Sequence, residues 1–546
     1  LKPVYDKDNR LTAVHTNLGG TQRTTGYTYL LDGRLSQTAL PTGKTVTYSY
    51  DPLARLSGSG IDGVLSSSYT YESPGEGKTT PLVSSVTTNG KETEYTYDAF
   101  GNILTITEDG VLQHSYTYDA RNQLVGETSG TDSYVYSYDA GGNLVSVQKN
   151  GEVIKSYTYG DASWKDLLTA FNGQSITYDA IGNPLSYRGM TLSWEGGRRL
   201  ASVSKEGLSA SYVYNSDGIR TQKTVNGVTT NYYLDGSSVL RQVTGNDVLE
   251  FFYDANGVLG FYYNNTPYYY LKNLQGDIVG ILDANGTQVV SYTYDAWGAP
   301  LSVTGTAADT IGQINPFRYR SYYYDNETGL YYLNSRYYDP ETCRFISVDG
   351  IYDTNTGLLS HNMFAYCNNN PVNMVDNTGM ISVLLIVAGI VGTAIVGGLI
   401  MRKKATIQDY IEGMAGSTNP ILGALFKIKS ANENIEGAKQ AVQSYSRDVV
   451  NANYYYDNPK AFSASSFNKS IIPNETDYIQ RCFKKAPTLQ QHTELNCQFS
   501  IEGKMWDDLT EEQQEEIVNQ IGSWDQETAQ AIGVYYGVDT AIALFS

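Results

Sequence analysis

The sequence predicts a mainly β chain: a coiled sheet of hairpins forming a shell, followed by an apolar helix and a predominantly α C-terminal domain. Three observations predict this. A Tyr-x-Tyr-Asp motif stands at Tyr95-Thr-Tyr-Asp98, Tyr116-Thr-Tyr-Asp119, Tyr136-Ser-Tyr-Asp139 and Tyr292-Thr-Tyr-Asp295, and Asp98, Asp119 and Asp139 are spaced by 21 and then 20 residues. A period of about twenty residues marks a stacked repeat array. The 22 residues 380–401 carry no charge. Beyond residue 404 the motif stops and apolar residues recur at helical spacing.

Each repeat explains itself locally. In Tyr116-Thr117-Tyr118 the two rings, two residues apart, fall on one face of a strand and Thr117 on the other. The Asp that follows, with Asn or Gly nearby, bonds its own backbone and reverses the chain before an apolar strand restarts at Leu124. The same grammar occurs at 51–56, 98–103, 139–144, 179–183 and 254–259, with a degenerate copy at Tyr157-Thr-Tyr-Gly160. A single hairpin can neither bury its apolar face nor satisfy its edges, so successive units must pair into one long twisted sheet. Two other readings fit the same residues: a plain solenoid or stalk in which Tyr serves packing alone, and a platform of exposed tyrosines that stacks carbohydrate.

Composition narrows the function. The chain has 546 residues, with 48 Tyr against 14 Phe and 17% charged residues. A net charge of −19 argues against a nucleic-acid or anionic-membrane binder, which needs clustered Lys and Arg. Cys343, Cys367, Cys482 and Cys497 show no Cys-x-x-Cys spacing, so neither a zinc site nor a disulfide framework is indicated. No cofactor is expected. Leu1 is not a start residue and no signal peptide precedes the repeats. The expectation is therefore a C-terminal piece of a longer protein, with a shell wall that is only partial.

The repeats resemble the YD repeats of Rhs proteins, teneurins and the shell component of insecticidal toxin complexes. The most specific part is Pro316-Phe-Arg-Tyr-Arg320, Tyr324-Asp-Asn-Glu-Thr-Gly-Leu-Tyr-Tyr-Leu333, Arg336-Tyr-Tyr-Asp-Pro340 and Arg344-Phe-Ile-Ser347, closing with Asn369-Asn-Pro-Val-Asn373 and Asp376-Asn-Thr-Gly379. This run is similar to the Rhs-associated core. The resemblance implies a shell over residues 1–315, a core that plugs one end over 316–380 and a variable payload over 405–546, and the apolar residues between them mark a transmembrane-like segment over 381–404. It further implies a secreted or cell-surface polymorphic toxin, of the Rhs or wall-associated type, whose effector acts in interbacterial competition and is neutralised by a cognate immunity protein. A surface adhesion protein without toxic cargo and a pore-forming payload are the alternatives.

The same resemblance singles out two carboxylates. Asp349 in Val-Asp-Gly-Ile351 and Asp376 in Asp-Asn-Thr-Gly-Met380 match an aspartyl autoprotease that would cut between Met380 and Ile381. Two carboxyls held close share a proton, so one can act as base toward water and the other as acid. Gly350 and Asn377 stand where the family has proline, and Met380 where it has leucine. Losing proline frees φ and loosens the approach of the scissile bond. The other reading of both residues is a turn-forming Asp beside Gly.

Residues 380–401, with Arg402-Lys403-Lys404 behind them, are long enough as a helix, at about 1.5 Å per residue, to cross the ~30 Å hydrocarbon layer of a target-cell membrane. The competing reading is an apolar hairpin or helix buried against the shell wall. In the payload, Thr510-Glu-Glu-Gln513 opens a helix through Ile521, with further helices over 431–453 and 526–545. His492, Glu494, Cys497 and Cys482 complete no ligand set and read as a surface loop with a structural Cys, and Lys484-Lys485 is too short to bind nucleic acid.

Overall fold

Strand follows strand in chain order from β1 (Lys2–Tyr5) to β31 (Pro300–Thr304), each paired antiparallel with its sequence neighbour except at one break. The computed structural model describes residues 2–7, 10–75, 78–254, 257–350 and 362–380, with the backbone of 383–384. The expected single sheet is two, of 17 and 14 strands, because the ladder breaks between β17 (Gln174–Ser175) and β18 (Thr177–Tyr178). The break follows the degenerate repeat. Gly160 has no carboxylate to close a turn, its amide goes instead to Thr169 Oγ1 at 2.8 Å, and a loop over 161–168 displaces the next strands. Ile176, between the two sheets, is buried and its amide turns to the Thr169 carbonyl at 2.8 Å.

The Asp of the motif closes its own turn. Asp98 Oδ1 accepts the amides of Phe100 and Asn102, both at 2.8 Å, while the Gly101 amide donates to the Asp98 carbonyl at 3.1 Å. The same pair of amide bonds recurs at Asp51, Asp119, Asp139, Asp179, Asp283 and Asp295. Such an acceptor satisfies backbone donors that the reversal strips from the ladder.

The second Tyr of the motif does a different job. Tyr97 Oη donates to the Val83 carbonyl at 2.7 Å, Tyr118 to Ile103 at 2.8 Å, Tyr138 to Leu124 at 2.8 Å, Tyr159 to Leu144 at 2.9 Å and Tyr294 to Ile278 at 2.8 Å. Each accepting residue sits where the strand register slips, as between Ile103 and Thr105 or between Thr117 and Tyr118, and a slip leaves ladder groups unpaired. The hydroxyl therefore fastens each hairpin to the one before it. The first Tyr of the motif is buried at Tyr95, Tyr116, Tyr136 and Tyr157 beside Ile103, Leu124 and Leu144, while the residue between the tyrosines, such as Thr96 or Thr117, is exposed. These motif rings are thus committed to packing, not to an open stacking platform for carbohydrate.

The coil returns on itself. Tyr48 on β5 (Thr45–Tyr50) donates to Asp254 Oδ2 on β26 (Asp247–Asp254) at 2.8 Å, and Arg23 pairs with Glu250 at 2.9 Å while its guanidinium lies 3.6 Å over the Tyr262 ring. Leu11, Val46 and Leu56 share a core with Phe252, Tyr262 and Tyr269. The first repeats thus pack against strands some 200 residues later.

Residues 311–350 and 362–380 fold onto the tyrosine face of this wall, with one short helix, Ile311–Ile314, and the four-stranded sheet Tyr323–Asp325, Leu330–Tyr332, Tyr337–Asp339 and Arg344–Phe345. Its buried charges are keyed to particular repeats. Asp325 takes two bonds from Arg220, at 2.6 and 3.0 Å, and one from Lys223 at 2.8 Å. Asp339 meets Arg188 at 2.9 Å and the Tyr187 hydroxyl at 2.7 Å, Arg320 meets Asp277 at 3.1 Å, and Arg344 meets the Tyr159 hydroxyl at 2.6 Å. A charge buried without its partner costs several kcal/mol, so these pairs fix which part of the core lies on which repeat. At Gly298, with φ of 88°, a Cβ would fall 2.4 Å from the Tyr319 ring, so only glycine lets the core approach that turn.

Among the described residues the only α-helix is Ile311–Ile314, and no helix is long and apolar enough to cross a membrane. Val383–Leu384 form a strand paired with Met374–Val375, so the apolar segment does not begin as the expected helix. The rest of that segment and the α payload, with Cys482, Lys484, Lys485, His492, Glu494 and Cys497, lie outside the described residues.

Two expectations follow. Removing one rung with Tyr138→Phe should lower unfolding free energy by about 1 kcal/mol, and Asp139→Ala, which strips the turn of its acceptor, should cost more in the same denaturant titration. Burial raises the Asp295 carboxyl from 3.8 to about 6. The native state thus holds that proton more tightly than the unfolded chain, and this contribution is fullest below about pH 4 and is lost as pH rises through 6. Asp295→Asn keeps the turn acceptor without the titration, so it should melt higher than the native chain at pH 8, by about 1–3 kcal/mol, with a smaller difference at pH 4.

Candidate functional site: two aspartates on one arginine

Asp349 and Asp376, 27 residues apart in sequence, both reach Arg336. Arg336 Nη2 lies 2.8 Å from Asp349 Oδ2 and 3.4 Å from Asp376 Oδ2. The guanidinium rests 3.5 Å over the Phe345 ring, and its Nη1 donates to the Met363 carbonyl at 3.2 Å. Burial pulls Arg336 below its usual pKa, and the two carboxylates oppose that pull. Asp376 is almost fully buried and Asp349 keeps 14% of its side chain exposed.

The chain leading to the expected scissile bond is held from both flanks. Asp376 Oδ1 accepts the amide of Met380 at 3.1 Å and that of Thr378 at 3.2 Å. From the turn after Leu333, Ser335 Oγ donates to the carbonyls of Thr378 at 2.6 Å and Gly379 at 2.8 Å, Arg336 Nε donates to Gly379 O, and Asn334 Nδ2 donates to Asn377 O at 3.4 Å. Gly379 has φ of 71°, and a Cβ there would lie 2.7 Å from the Leu333 carbonyl. These bonds restrain the backbone that Asn377, in place of a proline, leaves free in φ.

Asp349 is anchored separately. Its amide donates to the Met363 carbonyl at 3.0 Å, and Arg198 Nη1 donates to its carbonyl and to that of Val348 at 3.3 Å. The structure therefore unites the two aspartates that the sequence singled out, and adds Arg336 and Ser335, which sequence reasoning missed. A signal existed for Arg336. An arginine set between Leu333 and Tyr337-Tyr338 in so apolar a stretch needs a buried counterion. The guanidinium occupies the place between the carboxylates where a cation would otherwise sit, and among the described residues no group of His, Cys, Asp and Glu could hold a metal. Cys343 offers no nucleophile, since burial pushes its thiol up to about 12.

Residues 92–372, just over half of the chain, match the Teneurin YD-shell family. The chain belongs to the teneurin YD-shell family. The tRNA3(Ser)-specific nuclease WapA of Bacillus spizizenii is 40% identical to this YD-shell protein over 230 residues, covering 41% of this chain and 10% of that protein. The toxin protein Tse5 of Pseudomonas aeruginosa is 34% identical over 101 residues, 18% of this chain and 7% of that one. The crystal structure of TcdB2-TccC3-Cdc42 aligns over 66% of this chain and 22% of that chain, with 20% identity and a TM-score of 0.49. The chain spans about a tenth of the length of the WapA relatives it matches.

Because Arg336 is buried between the side chains of Asp349 and Asp376, Arg336→Ala should destabilise the YD shell by about 3–5 kcal/mol. Arg336→Ala combined with Asp376→Asn should recover part of that loss. Equilibrium denaturation of the three variants checks both.

Proposed function

We propose that this YD shell encloses and delivers a C-terminal toxic effector in competition between bacteria, and that its core releases the effector by cutting itself between Met380 and Ile381. The observation that carries the cleavage reading is the convergence of Asp349 and Asp376 on Arg336, beside a segment whose Met380 amide is bonded to Asp376 itself. In the reaction, one carboxylate takes a proton from water as its oxygen attacks the Met380 carbonyl carbon. The other, as the protonated carboxylic acid, gives its proton to the leaving Ile381 nitrogen, and the first keeps the proton taken from water. Arg336 keeps the pair aligned and charge-balanced, and Ser335 holds the chain just before the bond.

The parts divide as a shell over 1–315, a core over 316–380, a connecting apolar segment over 381–404 and a payload over 405–546. Relatives named as a tRNA nuclease and as a toxin support an effector at the C-terminal end and a secreted or cell-surface site of action, with a cognate immunity protein as partner. The adhesion reading differs in one respect: it has no toxic cargo.

Two experiments test this reading. Purified full-length protein should yield a fragment with Ile381 at its new N-terminus by mass spectrometry, and Asp349→Ala or Asp376→Ala should leave a single uncut chain. One intact chain in all three preparations would contradict self-cleavage. Expression of residues 405–546 in a bacterial cytoplasm should arrest growth, and unimpaired growth would favour adhesion.

A further inference from the structure

Asp349 and Asp376 reach Arg336 on different carriers. Asp349 is held by Arg198, in the second sheet, and by Met363. Asp376 ends a segment, 362–376, whose asparagines bond three successive repeats far earlier in the chain. Asn362 Nδ2 donates to Asn143 Oδ1 at 2.9 Å and Asn369 Nδ2 to the Gly142 carbonyl at 2.7 Å. Asn370 Nδ2 donates to Asn102 Oδ1 at 2.9 Å. Asn373 Oδ1 accepts the Ile103 amide at 2.7 Å, and its Nδ2 donates to the Tyr118 hydroxyl at 2.9 Å. All four asparagines are buried.

The repeat side of this ladder is made by the motif itself. Asn102 and Asn143 close the turns of Asp98 and Asp139, each donating its amide side chain to that aspartate, at 2.8 and 3.0 Å. That bond turns Asn102 Oδ1 toward the core segment. Tyr118 is a rung, already tied to the Ile103 carbonyl. Asn373 therefore reads both partners of one rung, an arrangement that exists only once the two hairpins have been fastened together. A buried amide cannot stay unpaired without penalty, so segment 362–376 has no comparable seat before those repeats stack.

We propose that this asparagine ladder gates self-cleavage: Asn370 and Asn373 are positioning residues that deliver Asp376 to Arg336 and Asp349 only after the repeats at Asp98 and Asp139 have stacked. The inference rests on the self-cleavage reading above. Its consequence is an order of events in which the wall is assembled before the bond to the payload is cut. Neither asparagine touches the bond, and both act through where Asp376 is placed.

The test follows cleavage of newly made full-length chain with time, in the native protein and in Asn102→Ala, Asn370→Ala and their double variant. Thermal melts report folding alongside. Displacing a catalytic group by about 1 Å costs up to 10²-fold. Each single variant should cut about tenfold more slowly, and the double no more slowly than the slower single, since the two side chains form one contact. Tyr50→Phe removes a rung to the Leu35 carbonyl that has no ladder contact. It should lower the melting temperature yet cut at the native rate. Should Asn102→Ala lose its native melt, Asn373→Ala provides the second arm. Native cutting rates in the folded ladder variants, or slowing in the double equal to the product of the singles, would overturn the gate while leaving self-cleavage intact. An uncut native chain would remove both.

Discussion

The structure depends on the hydrogen bond from the second motif tyrosine to a backbone carbonyl of the preceding hairpin. A twisted antiparallel sheet of many strands accumulates register slips, and each slip leaves a carbonyl without its ladder donor. Here the donor comes from the next repeat, as Tyr118 supplies Ile103 and Tyr138 supplies Leu124. The bond works in one direction, so each hairpin is completed by its successor. At the opposite ends of the hairpins a matching link operates. Asn150 and Asn226, in turns with positive φ, accept the amides of Ser133 and Ser209 from the neighbouring hairpin, both at 2.8 Å. Stability in such an array is a sum of neighbour terms, and every term here repeats the same few atoms.

The core segment uses the wall as a template. Its buried Asp325, Asp339, Arg320 and Arg344 are each matched by a residue on a different repeat. Ion pairs of this kind contribute little net stability, because desolvation offsets attraction, but a misplaced charge is heavily penalised. Register is what they specify. Arg220 shows the same economy of space, with its guanidinium within 4.4 to 6.0 Å of the rings of Tyr212, Tyr232, Tyr323, Tyr332 and Tyr337. Because the core is placed so narrowly, two carboxylates from separate loops can arrive on one guanidinium.

Much of this was legible in the residues. The Tyr-x-Tyr spacing implied rings on one strand face, and Asp98, Asp119 and Asp139 implied turns, because both are local; that the first ring of each pair is buried was left open. The rung was not legible, since its acceptor is a main-chain atom some 14 to 16 residues upstream, which no side-chain pattern marks. Nor was the return of the coil, in which Tyr48 finds Asp254 across 206 residues. The run Asn368-Asn369-Asn370 was visible as composition, but its meaning lies in Asn102 and Gly142, which only the fold brings near. Asp349 and Asp376 were found through resemblance, and Arg336, whose apolar setting called for a buried counterion, was missed because neither of its partners lies near it in sequence. Hydropathy placed a helix at 380–401, whereas Val383 and Leu384 pair as strand with Met374–Val375; apolar content alone does not separate the two.

The central claim is that the repeats hold the core segment, and with it Asp376, in a fixed register on the wall. Hydrogen exchange followed by mass spectrometry on the native full-length chain tests this most directly. Peptides covering 98–143 and 362–380 should be protected to the same degree and lose protection together as denaturant is raised. Rapid exchange throughout 362–380 while 98–143 stays protected would contradict the account.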